Sequence, residues 1–321
     1  MTRRRSLLAA AALPFARPAF AQGFPGRTIR AVVPFPPGGG VDAFARAFVP
    51  ALQATLGQSV VIENIGGASS RLGTQAVLRA PADGHTILIT NDTLAAVEAL
   101  PVTGSGPLLP GLAPILLGAS APQVLVTHPR SGIATAADYA ARLRAQRPTN
   151  IGVPGLGSSQ HFASELLAQA LGGRPEHVGY RGGGPLLIDL VAGTLDGGVV
   201  TLGAAIEQIR EGRLVALGVT GLARSAALPA VPAFAEAVAP GFEAETWVGV
   251  LAPAATPAPA RAVLVEASTV ALRDAGVQQR LAALGFDMPG LGPEGFGPKL
   301  ADTAARFAAV ARAVGLRAEE A

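Results

Sequence analysis

At 321 residues, half of them hydrophobic and 15% charged, the chain is too long for one simple core and suits two lobes. It has no cysteine, which excludes disulfides, thiolate metal sites, a cysteine nucleophile and a lipid anchor on an N-terminal cysteine. The formal charge of +3 resides in residues 1–21, which carry Arg3, Arg4, Arg5 and Arg17; the remainder stands at −1, so no basic excess is left to draw nucleic acid or an anionic membrane.

Residues 1–21 read as a secretory signal. Arg3-Arg4-Arg5 precedes an apolar stretch from Leu7 to Ala16, and Ala19-Phe20-Ala21 marks cleavage before Gln22. The apolar run is shorter than the roughly 20 residues a membrane span needs. Thr2–Leu7 also fits a twin-arginine signal. The expectation is an exported, unanchored, soluble protein of the periplasm.

From there strands and helices alternate. Thr28–Phe35 is β-branched and reads as a buried strand, broken by Pro36-Pro37-Gly38-Gly39-Gly40. Asp42–Leu56 is helical by period, with Phe44, Phe48, Leu52 and Leu56 on one face and Gly57 as its stop. Pro50 lies inside it, where proline kinks a helix at a cost of about 3 kcal/mol. Ser59–Glu63 and His85–Thr90 read as strands, Gln75–Arg79 as part of a short helix, and Asn91-Asp92-Thr93 as the cap of the next. After a Gly/Pro loop over Pro101–Gly111, Gln123–Thr127 opens a second lobe. There, strands at Ile151–Val153, His177–Tyr180, Gly197–Leu202 and Leu214–Thr220 alternate with helices over Gln160–Leu171 and up to Ala192. Trp247–Ala252 returns the chain to the first lobe, and the rest is mainly helical. The reading is α/β with parallel sheets covered by helices. Lobe 1 spans residues 22–122 plus 248–321, lobe 2 spans 123–247, and two crossings make a hinge.

Three glycine-rich segments share one context, a strand before and a helix after: Pro36–Gly40, Gly155–Ser159 and Arg181–Gly184. A helix start leaves backbone N–H groups unpaired and partly positive, and glycine lets a ligand approach them. This is a recipe for anion binding without cationic side chains, placed where α/β sheets hold ligands. Each segment taken alone is also a plausible tight turn. Ser158 and Ser159 read as N-cap residues. Micromolar binding needs about 8 kcal/mol; two loops each donating two charge-assisted bonds at roughly 1.5–3 kcal/mol reach it, and one does not.

Enzyme signatures are missing. There is no G-x-S-x-G elbow and no P-loop, the only lysine being Lys299. His85, His128, His161 and His177 form no i, i+4 pair for zinc. Ser158 or Ser159 with His161 is the one arrangement that would make a hydrolase. Trp247 reads as core.

The motifs resemble the Bug-type extracytoplasmic solute receptors of tripartite tricarboxylate transporters. The matching stretches are Thr28–Arg46, Leu56–Asn64, Pro81–Leu88, Gly155–Leu166, His177–Asp196, Gly212–Glu236 and Pro240–Pro257, nearly the whole mature chain in order. The resemblance implies a type II-like, Venus-flytrap periplasmic binding protein that closes on a carboxylate and is not an enzyme. It needs no metal or cofactor, acts as a monomer and hands its ligand to membrane permease subunits. A sensory receptor serving a membrane kinase is the alternative within binding proteins. By position, first-lobe contacts fall on Phe35, Pro36, Pro37, Gly38, Gly39 and Gly40, with Asp42 starting the helix. Second-lobe contacts fall on Gly157, Ser158 and Ser159, and Asn91, Tyr180 and Thr201 are wall residues. The chain departs from the family pattern at Ile65–Arg71, at Pro101–Gly106 and at Gly179 before Tyr180. Arg71 reads as a solvated loop residue within reach of a second carboxylate.

Overall fold

The computed structural model describes residues 23–100 and 106–316; the signal segment and the start of the Pro101–Gly111 loop lie outside them. In chain order come β1 (Ile29–Val33), α1 (Gly40–Leu56), β2 (Val60–Asn64), α2 (Arg71–Leu78), β3 (Thr86–Asn91), α3 (Thr93–Ala99) and β4 (Leu112–Thr127). The middle of the chain holds α4 (Ala136–Arg144), β5 (Asn150–Val153), α5 (Ser159–Leu171), β6 (Glu176–Gly179), α6 (Gly183–Ala192), β7 (Gly197–Thr201), α7 (Leu202–Arg210) and β8 (Val215–Val219). It closes with α8 (Phe234–Ala237), β9 (Glu245–Pro253), α9 (Ala258–Leu272), α10 (Ala275–Ala283) and α11 (Pro293–Val314).

Two sheets share strand β4. In the first, β1 runs parallel to β2 and β3, β3 is antiparallel to β9, and β9 is antiparallel to β4 from Leu112 to Pro122. In the second, β4 is antiparallel to β7 from Gln123 to Val126 and to β8 from Val124 to Thr127, while β5 is parallel to β6 and β7. The sequence places the start of this strand at Gln123, and the structure extends it back to Leu112. Pro114, Gly118 and Pro122 hide the extension. The ladder with β9 shifts register between Pro114 and Leu116 and between Leu117 and Ala119, and proline is tolerated at such bulges and on edges. Residues 287–291 cover the outer edge, with Leu117 and Ser120 exchanging backbone bonds with Leu291 and Asp287.

Each sheet buries apolar residues on both faces, as parallel α/β sheets must. Phe44, Phe48 and Leu52 are fully buried at four-residue spacing on one face of the first sheet, with Val32, Leu88 and Trp247 in the cluster on the other. α1 continues past Pro50 to Leu56 and ends at Gly57 in the left-handed conformation. Trp247 is core: it meets Phe296 edge to face at 5.1 Å and donates its Nε1–H to Thr303 Oγ1. The C-terminal helix α11 ties the halves together. Phe307 stacks on Phe162 of α5 at 4.7 Å, in a cluster with Ala96 and Leu100 of the first lobe.

Candidate ligand-binding cleft

The loop from β1 to α1 is set by its own helix. Asp42, 2% exposed, accepts from the Gly38 N–H at 3.0 Å and Arg46 Nε at 2.8 Å on one oxygen, and from Asn64 Nδ2 at 3.0 Å on the other. Asn64 also donates to the Phe35 carbonyl. Burial pushes the Asp42 carboxyl up, but the bonds from Arg46, Gly38 and Asn64 outweigh it and hold it below the usual range. Asp42 therefore shapes the loop. The sign follows: its folded pKa is lowered, so it contributes stability above its unfolded value of 3.8, lost as pH falls through the folded value. Asp42→Ala removes the acceptor of the Gly38 N–H and of Arg46, and one of the two acceptors of the Asn64 amide. It is expected to destabilise by roughly 1.5–3 kcal/mol, the loss of part-buried hydrogen bonds to a charged group, measured by urea unfolding.

Around that loop the structure assembles a cavity of about 30 Å³ between the lobes. Phe35, Gly39, Gly40 and Asn91 face it from the first lobe, Ser158 and Thr201 from the second, all named by the sequence. Gly183, from the glycine segment Arg181–Gly184, also lines it, and Val41, Pro154, Gln160, Val200 and Ala204, not named from the sequence, complete it. Gln160 was legible in principle, one position past the capping serines. None of these side chains is charged. Instead the first turns of α1, α5, α6 and α7 converge, through Gly40 and Val41, Ser158 and Gln160, Gly183, and Thr201 and Ala204. Each helix start favours an anion by about 0.3–1 kcal/mol.

Three polar side chains at the cavity each accept one hydrogen bond from the protein. Ser158 Oγ accepts the His161 N–H, Asn91 Oδ1 accepts the Thr93 N–H, and Thr201 Oγ1 accepts from Gln160 Nε2. Each of these oxygens keeps a second lone pair, and the two hydroxyl protons and the Asn91 amide remain as donors for a ligand.

The remaining sequence-named residues stand off the cavity. Pro36 and Pro37 have no N–H and lie against the glycine segment of the second lobe: a Cβ on Gly184 would meet the Pro37 carbonyl oxygen at 2.6 Å. The Gly38 N–H is taken by Asp42 and the Gly157 N–H by His161 Nδ1 at 3.0 Å. Ser159 donates its N–H to Thr93 Oγ1 across the lobes. Tyr180 donates its hydroxyl to Asp189 at 2.7 Å, a partner nine residues on. Arg71 is a correction: it is 8% exposed at the start of α2 and donates to the Val97 carbonyl at 2.8 Å. Burial of its stem and the carbonyls of α3 outcompete solvent.

The lobes are in contact across the cleft. Ser69 donates to the Leu156 carbonyl at 2.7 Å, beside the Ser159–Thr93 bond. These bonds join the two lobes directly beside the cavity residues Asn91 and Ser158. Behind the cleft, Asp92 is 1% exposed and meets Thr246 Oγ1 of β9 at 2.5 Å. Burial raises its carboxyl from 3.8 to about 7, against hydrogen bonds from Thr246 and Ser159 and the charge of Lys299.

One group could be weighed as a metal site. Ligand atoms of His161, Glu165 and His177 lie within 4.8 Å of one another. The Gly157 N–H on His161 Nδ1 puts the imidazole proton on Nε2, the nitrogen 3.8 Å from Glu165, and His177 Nδ1 lies 3.3 Å from the same carboxylate oxygen, so both rings are engaged within the protein. The same bond removes the hydrolase arrangement, since the ring acts on Gly157 while the Ser158 hydroxyl caps the backbone.

Comparison with known proteins agrees with this geometry. The family described as "Tripartite tricarboxylate transporter family receptor" matches residues 44–316. Protein BugT of Bordetella pertussis is 34% identical over 306 residues, 94% of each chain. The structure of periplasmic binding protein BugD superposes with a TM-score of 0.86 at 29% identity, covering 92% of this chain and 99% of that one. MatC from Rhodopseudomonas palustris, solved with bound malate, has a TM-score of 0.84 at 30% identity, covering 89% and 99%. These are binding proteins of two-lobed α/β fold, not enzymes.

Proposed function

The chain belongs to the tripartite tricarboxylate transporter receptor family, and on that premise we propose that it captures a small carboxylate between its lobes in the periplasm and delivers it to the membrane subunits of such a transporter. The observation that carries the reading is the cavity itself: four helix starts and a set of donor side chains converge on a space with no charged side chain. The four helix starts and the donor side chains favour a carboxylate there over an ammonium or a metal ion. The malate in MatC supports a dicarboxylate as first probe. Export rests on the signal-like residues 1–21 and on the periplasmic relatives.

In this reading the lobes are residues 22–122 plus 248–321 and residues 123–247, supported by the change of partners along β4 between Pro122 and Gln123. The ligand contacts are Phe35, Gly39, Gly40, Asn91, Ser158 and Thr201, with Gln160 and Gly183 added; Asp42 supports them.

The test is a thermal-shift series with malate, succinate and adipate against their amides. The acids are expected to raise the melting temperature and the amides to leave it unchanged. Ser158→Ala, which removes one donor to a charged group, is expected to weaken binding by roughly 10- to 150-fold. A protein indifferent to every acid, or equally responsive to the amides, would reject carboxylate capture.

A further inference from the structure

The second-lobe loop that borders the cavity has its N–H groups taken by protein acceptors. Ser158 N–H goes to the Gly155 carbonyl at 3.0 Å, Ser159 N–H to Thr93, and Gly157 N–H to the ring of His161. The last bond differs in kind. It is made by a buried side chain, 6% exposed, one turn into α5, and the same residue's backbone N–H goes to Ser158 Oγ at 3.2 Å. His161 thus grips the loop twice, at the residue before the ligand-facing serine and at the serine itself.

The ring is held from behind. His177 of β6 lies 4.4 Å away, centroid to centroid, and its Nδ1 is 3.3 Å from Glu165 Oε1 while its Nε2 meets Ser164 Oγ at 2.9 Å. Glu165 is also 3.8 Å from His161 Nε2. Glu165 and His177 form part of the wall of a groove of about 880 Å³ on the outside of the lobe.

We propose that His161 is a positioning residue for ligand capture: its Nδ1, by accepting the Gly157 N–H, fixes the loop so that the Ser158 hydroxyl faces the cleft, and Glu165 with His177 fixes the ring. The inference rests on the carboxylate-binding reading above. It requires an unprotonated Nδ1, because a protonated ring would set one donor against another. Burial first, and the neighbouring His177 second, lower the His161 pKa from 6.5 to about 4, with Glu165 opposing. The titratable groups facing the ring are Glu165 of its own helix and His177 of β6; behind them, Arg174 before β6 acts on Glu165, and Glu165 acts on Tyr139 of α4. The grip therefore holds at neutral pH and fails as pH falls through about 4.

The experiment reads the loop without any ligand. Amide exchange at Gly157, corrected for intrinsic rates, is measured from about pH 7 down to about pH 3 in the wild type, in His161→Ala and in His161→Asn, whose Oδ1 can accept the same N–H. Loss of the bond in His161→Ala is expected to speed exchange at Gly157 by about tenfold or more at neutral pH. His161→Asn is expected to restore protection and to lack the acid step of the wild type. Malate titration should follow the same order, weak in His161→Ala and rescued in His161→Asn. Wild-type protection at Gly157 in His161→Ala would overturn the proposal. So would an acid step that persists in His161→Asn, which decides the matter even if His161→Ala fails to fold. If the exchange results hold while malate binds no variant, the loop-setting role stands and carboxylate capture falls.

Discussion

Gly40→Ala is expected to weaken carboxylate binding by roughly 5- to 150-fold while leaving the unliganded protein at least as stable. Gly40 is the first residue of α1, where alanine is conformationally acceptable and glycine has no intrinsic advantage. Its lack of a side chain matters only across the cleft: a Cβ there would meet the Thr201 side chain at 2.8 Å to Cβ, 2.9 Å to Cγ2 and 3.0 Å to Oγ1. Thr201 stands at the start of α7, with its hydroxyl engaged by Gln160, and has little room to retreat. Overpacking of this kind costs about 1–3 kcal/mol, and each 1.4 kcal/mol or so is tenfold in affinity. The cost falls on the closed state alone, because parted lobes no longer bring the two residues together. Calorimetric titration with a binding acid, beside thermal melting without it, separates the two. Thr201→Ala in the same chain should recover part of the loss by removing the opposing methyl. Unchanged affinity in Gly40→Ala would mean that the liganded lobes do not approach this closely.

The second large effect concerns pH. Asp92 is enclosed between the lobes, on Thr246 where β9 enters the crossing, and burial raises its carboxyl to about 7. A folded pKa above the unfolded value of 3.8 means that the folded protein binds more protons across that window. Its stability then falls as pH rises from about 4 to about 7, by a few kcal/mol in order of magnitude. Asp92→Asn cannot ionise and still offers an oxygen to the Thr246 hydroxyl. It is expected to flatten the pH dependence and to melt several degrees above the wild type at about pH 8, at roughly 2–4 °C per kcal/mol for a domain-sized unit. Thermal melts across that range decide it; a wild type and Asp92→Asn that track each other would place the charge burden elsewhere. Asp42 works in the opposite sense, being stabilising while ionised, so its contribution fails only in acid.

Some of this was fixed by the order of residues. Apolar period placed α1 with Phe44, Phe48 and Leu52 inward; glycine and proline after each β-branched run placed the cleft loops; Ser158 was readable as a cap and Trp247 as core. These signals act within a few residues, where backbone sterics and the helical repeat decide the outcome. Tertiary structure alone decided what met across longer spans. The sixteen residues of β4 could not be read through two prolines, because its bulges are set by pairing with β9. The partners of Asp42 and Tyr180 and the burial of Arg71 depend on groups that folding brings up: Asn64 at 22 residues' distance, Asp189 at nine and Val97 at 26. For a polar side chain, solvent and a buried partner compete on nearly equal terms. The winner is set by which partner the fold delivers, so a lone sequence names the residue but not its role.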